Sequence, residues 1–239
     1  MNRRRLVSSH LQHLAQLIKV MMLGAITLWA VFLLNDFKLS RFFPINIVRV
    51  YGVHHLDRQE LQDLLLPFAE QGFFAMNVDN IRDRLSQLPW VSSSFVRRYW
   101  PNQLQIIINE QQVLAIWNDR HLLSLTGELF SPDRETYPHA LPRLIAQEGK
   151  QMVMIRYFHA INRLLQPLHV TISVLELTPD DVWKLVLSNG IILQMGQKDI
   201  LTRLNRFVKV YPKIIGNRTI DVEYIDLRYS NGVAVKWKK

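Results

Sequence analysis

A strand–turn–strand pattern near the C-terminus is the strongest constraint on what this chain can fold into. Val222, Tyr224 and Ile225 open an apolar run, Ser230-Asn231-Gly232 follows, and Val233, Val235 and Trp237 then alternate with Ala234 and Lys236. Alternation with period two marks a strand with one buried face. Asn-Gly accepts the positive φ that a tight hairpin turn demands. The expected element is a β-hairpin within Glu223–Lys239, with Val233–Trp237 as its second strand. A strand that comes last in a chain often has no following partner. It is therefore expected at or near a sheet edge, where open N–H and C=O groups are either blunted or used to add a strand from another protein.

The first forty residues say where such a sheet sits. Arg3, Arg4, Arg5 and Lys19 are the only charges before Leu34, and Val20–Leu34 is uncharged and apolar throughout. That run is shorter than the roughly 20 residues of a spanning helix. Leu14, Leu17 and Ile18 lengthen it, and Lys19 can carry its ammonium to the headgroups. Trp29 inside the run, with Phe37, Phe42 and Phe43 after it, suits a membrane and its interface. The reading is a basic cytoplasmic tail (residues 1–15), a single transmembrane helix (16–37) and an exported body, because the tail is basic and free of acids. A cleaved signal peptide would share the basic start and apolar core, but Asn35-Asp36-Phe37-Lys38 offers no small-x-small site. A buried helix of a soluble protein competes too, although the segment lacks a polar face.

About 200 residues remain, enough for one or two domains with real cores. The net charge is +9, of which the N-terminal tail holds +4. The modest surplus left suits anionic headgroups as well as nucleic acid. Without cysteine no disulfide or thiolate chemistry exists. Ile45–Tyr51 reads as a strand stopped by Gly52. Asp57 and Glu60 resemble a capping box before a helix carrying Leu61, Leu64, Leu65 and Phe68. Asn77 can cap a second helix carrying Val78, Ile81, Leu85 and Leu88. Phe95–Trp100 and a strand with Leu104, Ile106 and Ile108 flank a turn at Pro101-Asn102. The order β-α-α-β-β fills residues 45–112.

Residues 113–239 read as an α+β domain: a mainly antiparallel sheet with helices on one face. Its strands are expected at Leu114–Trp117, His121–Leu125, Thr171–Leu177, Val182–Leu187, Ile191–Met195, Val222–Leu227 and Val233–Trp237. Thr126-Gly127 and Ser188-Asn189-Gly190 signal turns. One helix carries Met154, Phe158, Ile161 and Leu165. Another, after Asp199, carries Leu201, Leu204, Val208 and Tyr211. Phe130–Glu148, rich in Pro and polar residues, reads as a long loop.

Catalytic chemistry is not legible. The eight histidines show no metal-ligand spacing, and His54-His55 would point to opposite faces of a strand. No nucleophile elbow, Walker loop or dinucleotide fingerprint occurs. Asp180-Asp181 and Asp221 with Glu223 are paired carboxylates, more simply read as turn caps or solvated charges. Arg203, Arg206 and Lys209 form a basic stripe opposite the apolar face of their helix, either a solvated face or a contact for phosphate or an acidic partner. Arg97-Arg98 beside Tyr99 and Trp100 hints at nucleic acid, but an exported body argues against that partner. No catalytic residue, metal or cofactor is expected.

Several segments in order carry a family resemblance: VYGVHHL (Val50–Leu56), LPWV (Leu88–Val91) with VRRYWP (Val96–Pro101), LAIWN (Leu114–Asn118), SLTGELFSP (Ser124–Pro132), RLNRFVKVYP (Arg203–Pro212) and IDLRYSNGVAVKW (Ile225–Trp237). With the basic tail and single anchor, the chain resembles the FtsQ/DivIB family of bacterial cell-division proteins over essentially its whole length. The resemblance is to the compact Gram-negative type, in which no extended tail like that of some Gram-positive members is expected after Trp237. The fit is looser at Ser92-Ser93-Ser94, poor strand formers, and at Ser230-Asn231, where relatives often carry Asp-Ser.

The resemblance implies a POTRA module at residues 45–112 and a β domain at 113–239. It implies a non-enzymatic scaffold of the inner membrane, enriched at the division septum, with its body in the periplasm. The implied partners are FtsB, by strand addition, and FtsL, and beyond them the septal peptidoglycan synthase FtsW and its transpeptidase. The implied contact residues are Arg228, Tyr229, Ser230, Gly232, Val233, Ala234, Val235 and Trp237, with Arg203, Arg206 and Lys209 as a secondary basic face. Arg228 would pair an acidic partner side chain. Tyr229 and Trp237 would bury aromatic surface on the partner or, alternatively, fill the core from the inner face. From another class, a POTRA-bearing component of protein export or outer-membrane assembly competes. That class usually carries several POTRA units or a barrel, neither of which is legible here.

Overall fold

The structure, a computed structural model, describes residues 19–29, 43–215 and 221–238. Residues 19–29 are helical. The tail at 1–15 and the other residues of the expected span, 16–18 and 30–37, lie outside the described residues. No helix among the described residues is long and apolar enough to cross a membrane. The described residues divide into two compact units, one including 43–50, 58–82 and 95–106 and one including 51–57, 83–94, 107–215 and 221–238.

A three-stranded sheet in the order β1-β3-β2 is built from β1 (Ile47–Tyr51), β2 (Val91–Tyr99) and β3 (Gln103–Glu110). Between β1 and β2 the chain forms α1 (Arg58–Ala69), a single-turn helix α2 (Gly72–Ala75) and α3 (Val78–Ser86). The expected β-α-α-β-β order thus gains one short helix. In α1, Leu61 and Leu65 are buried while Leu64 and Phe68 are only half-buried. The Asn77 side chain caps α3 by accepting the N–H of Asp79 at 2.9 Å, and α3 buries Ile81 and Leu85 completely. Ser92–Ser94 lie inside β2 despite their poor propensity. Ser94 sits on the buried face, and Ser93 Oγ accepts Asn109 Nδ2 at 2.9 Å.

Gly52 ends β1 with a φ of +81°, and a Cβ there would collide with the Ile108 carbonyl oxygen. The next residues are organised by Glu110. Its carboxylate accepts the N–H groups of His54 (2.8 Å), His55 (3.0 Å) and Leu56 (3.3 Å), and pairs with His55 Nδ1 at 2.8 Å. His54 and His55 therefore belong to a clamped loop and not to a strand. The His55 ring stacks on Trp90, whose Nε1 donates to Thr136 Oγ1 at 2.9 Å.

The second sheet has nine strands: β4 (Val113–Trp117), β5 (His121–Ser124), β6 (Leu129–Phe130), β7 (Arg143–Ile145), β8 (Ile172–Leu177), β9 (Trp183–Leu187), β10 (Ile192–Gly196), β11 (Val222–Asp226) and β12 (Ala234–Trp237), in the order β12-β11-β10-β9-β8-β7-β4-β5-β6. Most pairings are antiparallel, but β4 with β7, β7 with β8, and β10 with β11 are parallel. Parallel neighbours need long crossovers. Here α4 (Gln151–Leu165) follows β7 and α5 (Ile200–Ile214) follows β10. Tight turns form where glycine was expected to permit them, at Gly127 (φ +92°) and Gly190 (φ +85°).

Two expectations are corrected. The stretch Phe130–Glu148 is not a continuous loop, because β7 inserts between β4 and β8 with Leu144 fully buried. Three residues after a proline carry too little periodicity to announce a strand. The face of α5 also differs. Ile200, Leu204, Phe207 and Tyr211 are buried, whereas Leu201 is exposed and Val208 half-buried. The spacing 200, 204, 207, 211 follows the helical repeat, and Leu201 lies one residue round from it. On α4, Met154, Phe158, Ile161 and Leu165 are buried as expected, joined by Ile155. Both helices touch each other and share one core with the sheet.

Candidate binding edge

Strand β12 lies at one end of the nine-strand order and pairs antiparallel with β11 through Asp226–Ala234, Ile225–Val235 and Tyr224–Lys236. No strand among the described residues pairs with its other side. Val233 and Val235 face inward. They pack against the core and, with Phe207, Val210, Tyr211 and Ile214 of α5, line one small apolar depression. Ala234 and Lys236 face the opposite way and are exposed, as alternation requires. Trp237 is 37% exposed and Tyr229 59% exposed, so neither is a core residue.

The connection from β11 to β12 departs from the tight hairpin expected of Ser230-Asn231-Gly232. Seven residues, 227–233, separate the strands, and neither Asn231 nor Gly232 has a positive φ. A wider loop needs side-chain support, and the basic stripe of α5 supplies it. Arg206 Nη1 donates to the Tyr229 carbonyl at 2.9 Å and to that of Gly232 at 3.4 Å. Arg203 Nη1 donates to the Met195 carbonyl at 2.8 Å. Both arginines are half-buried, and Lys209 alone is an exposed cation of the stripe. Arg203 and Arg206 thus each brace a neighbouring backbone carbonyl.

Arg228 also has an internal carboxylate. Its Nε lies 3.0 Å from both oxygens of Asp226 and its Nη2 lies 2.7 Å from Oδ2, while its backbone N–H donates to Oδ1 at 2.9 Å. Residues i and i+2 of an extended chain share a face, which is why Asp226 and Arg228 meet. The Asp226 carboxyl is held below the usual carboxylate range, first by the Arg228 side-chain hydrogen bond, against a burial that pushes it up. The Arg228 guanidinium remains more than half exposed. Lys236 Nζ pairs with Glu223 at 2.9 Å and lies over the Tyr224 ring.

Tyr229, Ser230, Asn231, Gly232, Val233 and Ala234 together border a shallow open concavity beside the edge. Sequence reasoning missed Asp226 and the bracing role of Arg206. The i, i+2 spacing in Asp226-Leu227-Arg228 was the only local signal, and the Arg206 contact spans 23 residues. Among the described residues no three His, Asp or Glu side chains gather as metal ligands.

This arrangement sets main-chain groups along one strand beside aromatic and basic side chains. Residues 43–111 match the family model "POTRA domain, FtsQ-type". Fold and family model thus define a POTRA-bearing protein in which β12 ends the strand order of the larger sheet among the described residues. Residues 115–228 match the model "Cell division protein FtsQ/DivIB, C-terminal". The chain is 39% identical over 184 residues to the cell division protein FtsQ of Coxiella burnetii, covering 77% of this chain and 76% of that protein. It is 32% identical over 201 residues to the cell division protein FtsQ of Escherichia coli, covering 81% and 73%. The chain belongs to the FtsQ/DivIB family of cell division proteins.

Proposed function

We propose that this chain is a non-enzymatic scaffold of the division machinery. It takes up an extended segment of FtsB, accompanied by FtsL, on the outer side of β12, and so helps control septal peptidoglycan synthesis by FtsW and its transpeptidase. The observation that carries the reading is the edge: β12 ends the sheet order among the described residues while its inward Val235, with Val233 just before the strand, packs on α5. A strand held firmly from behind needs little further ordering when a partner strand is added, so the main-chain hydrogen bonds are made at low entropic cost.

Around the edge, Tyr229 and Trp237 are aromatic surfaces of the type that anchors interfaces. Ser230, Gly232 and Ala234 let a partner backbone approach closely. Arg228, with Asp226 behind it, presents a fixed cation to an acidic side chain. Lys236 on the outward face blunts unwanted edge pairing when the partner is absent.

The same reading assigns residues 16–37 to a single membrane-spanning helix, the tail 1–15 to the cytoplasm, and the POTRA (45–112) and β (113–239) domains to the periplasm. It is supported by family membership and by the helical conformation of residues 19–29. The edge is tested by Tyr229→Ala, Trp237→Ala and Val235→Pro. Lys238 N–H donates to the Asp221 carbonyl, so by alternation the Ala234 N–H points towards β11 and the Val235 N–H, which proline removes, points outward. Weakened FtsB binding with an unchanged circular dichroism spectrum is expected. Unchanged affinity in all three folded variants refutes strand addition. For topology, a reporter active only outside the cytoplasm should work when fused after Lys239 and fail when fused before Arg3. The reverse result overturns the orientation.

A further inference from the structure

A second surface lies in the unit that contains residues 43–50, 58–82 and 95–106. Four aromatic rings meet there. Phe43 packs edge-on to Phe74 with centroids 5.1 Å apart and to Trp100 at 5.7 Å, and Phe73 lies 5.3 Å from Phe74 and 6.4 Å from Trp100. A backbone hydrogen bond from Phe73 N–H to the Phe43 carbonyl, 2.8 Å, ties the strand-entry segment to α2. Despite this mutual packing, Phe74 is 51% and Trp100 65% exposed. A cluster that gathers its rings and still leaves them in water is the pattern of a contact surface and not of a core.

Charge and position identify the occupant. Arg98 stands at the rim, its guanidinium 5.6 Å from the Phe73 centroid and its Nη1 donating to the carbonyls of Phe73 (2.8 Å) and Met76 (3.4 Å). Trp and Phe rings beside a fixed Arg match surfaces that lie in the membrane interface, apolar bodies facing the acyl boundary and a cation facing phosphate. The cluster is also tethered there. Phe43 follows the proposed span, which ends at residue 37, by six residues, and such a segment reaches at most about 20 Å when fully extended.

We propose that the cluster of Phe43, Phe73, Phe74 and Trp100, rimmed by Arg98, seats the first module on the lipid headgroup layer of the membrane that holds the chain. The inference rests on the single-span reading above. It assigns Phe74 and Trp100 to the interfacial zone and Arg98 to anionic headgroups. Its consequence is a fixed orientation of the first module against the membrane, where a tether alone would leave it to tumble.

The natural chain has no cysteine, so single labels can be placed without background. The full chain is reconstituted in nanodiscs of phosphatidylethanolamine and phosphatidylglycerol with a nitroxide at Ala75→Cys, at Asn80→Cys on the exposed side of α3, or at Gly24→Cys. Collision rates with oxygen and with a water-soluble nickel chelate are then compared. The label at position 75 should meet the chelate about threefold less often than that at 80, as a group drawn into the headgroup zone does. The double variant Phe74→Ser/Trp100→Ser, with its fold checked by circular dichroism, should erase that difference. A water-exposed label at 75 with a lipid-buried label at 24 overturns the seating and leaves the anchor intact. A water-exposed label at 24 overturns the anchor and this inference with it. Shielding of position 75 only in native membranes, and not in nanodiscs, would assign the patch to a protein and reject lipid as the occupant.

Discussion

Replacing Arg206 tests whether the basic stripe of α5 braces the edge loop. The guanidinium makes one well-placed bond, 2.9 Å to the Tyr229 carbonyl, and one long one, 3.4 Å to Gly232. A hydrogen bond with one charged partner contributes about 1.5–3 kcal/mol. The second bond is too long to add much, and both carbonyls belong to an exposed loop that water can reach. Arg206→Ala should therefore cost about 1–2 kcal/mol of local stability, which at 1.4 kcal/mol per tenfold raises the opening constant of the loop by roughly 5- to 30-fold. Hydrogen exchange resolves this by position. Amides between Tyr229 and Trp237 should exchange faster by that factor, while those of Leu185 and Leu193, fully or almost fully buried in central strands, keep their rates. Arg206→Lys retains the charge but loses the fork, and should fall between the two. Exchange in the loop within about twofold of the parent would refute the brace and return Arg206 to an ordinary solvated cation.

Other outcomes follow from the same geometry. Glu110 and Asp226 both have carboxyls held below their ordinary range. For Glu110, burial pushes up but the His54, His55 and Leu56 donors outweigh it, and for Asp226 the Arg228 bond dominates. A depressed folded-state pKa contributes stability that is present above the unfolded value and lost as pH falls through the folded one, so the acid limb should set in at about pH 4–5 and deepen below it. Glu110→Gln should lower the neutral-pH melting temperature and flatten that limb; an unchanged pH profile would show the loop clamp to be energetically idle. Ile81→Ala, at a fully buried site, should cost about 2–5 kcal/mol in denaturant titration, and Leu64→Ala, only half-buried, clearly less. Equal losses would contradict the packing of α1. Gly52→Ala should destabilise by more than about 1 kcal/mol, because it combines a positive φ with a backbone collision. A neutral effect on thermal denaturation would mean that the β1 exit differs from the one described.

Much of the architecture was legible because it is local. Period-two alternation in Val233–Trp237, helical spacing in Met154–Leu165, the Asn77 cap and the glycine turns at 127 and 190 are each written within a dozen residues. Each holds in the structure because local preference and tertiary environment agree there. Most of the element order and the place of β12 at the sheet edge follow from the same signals. What the sequence by itself could not determine involves partners far apart along the chain. Whether the three residues of β7 form a strand depends on β4 and β8, which present backbone groups on either side. Asn231-Gly232 permits a tight turn, yet the loop opened because Arg206 bridges its carbonyls and Asp226 holds Arg228. The basic stripe looked like solvated surface because helical periodicity identifies a face but not what lies against it. Local propensity is worth tenths of a kcal/mol per residue. A half-buried guanidinium that must satisfy its donors carries more, so at the edge the tertiary contacts decided the geometry.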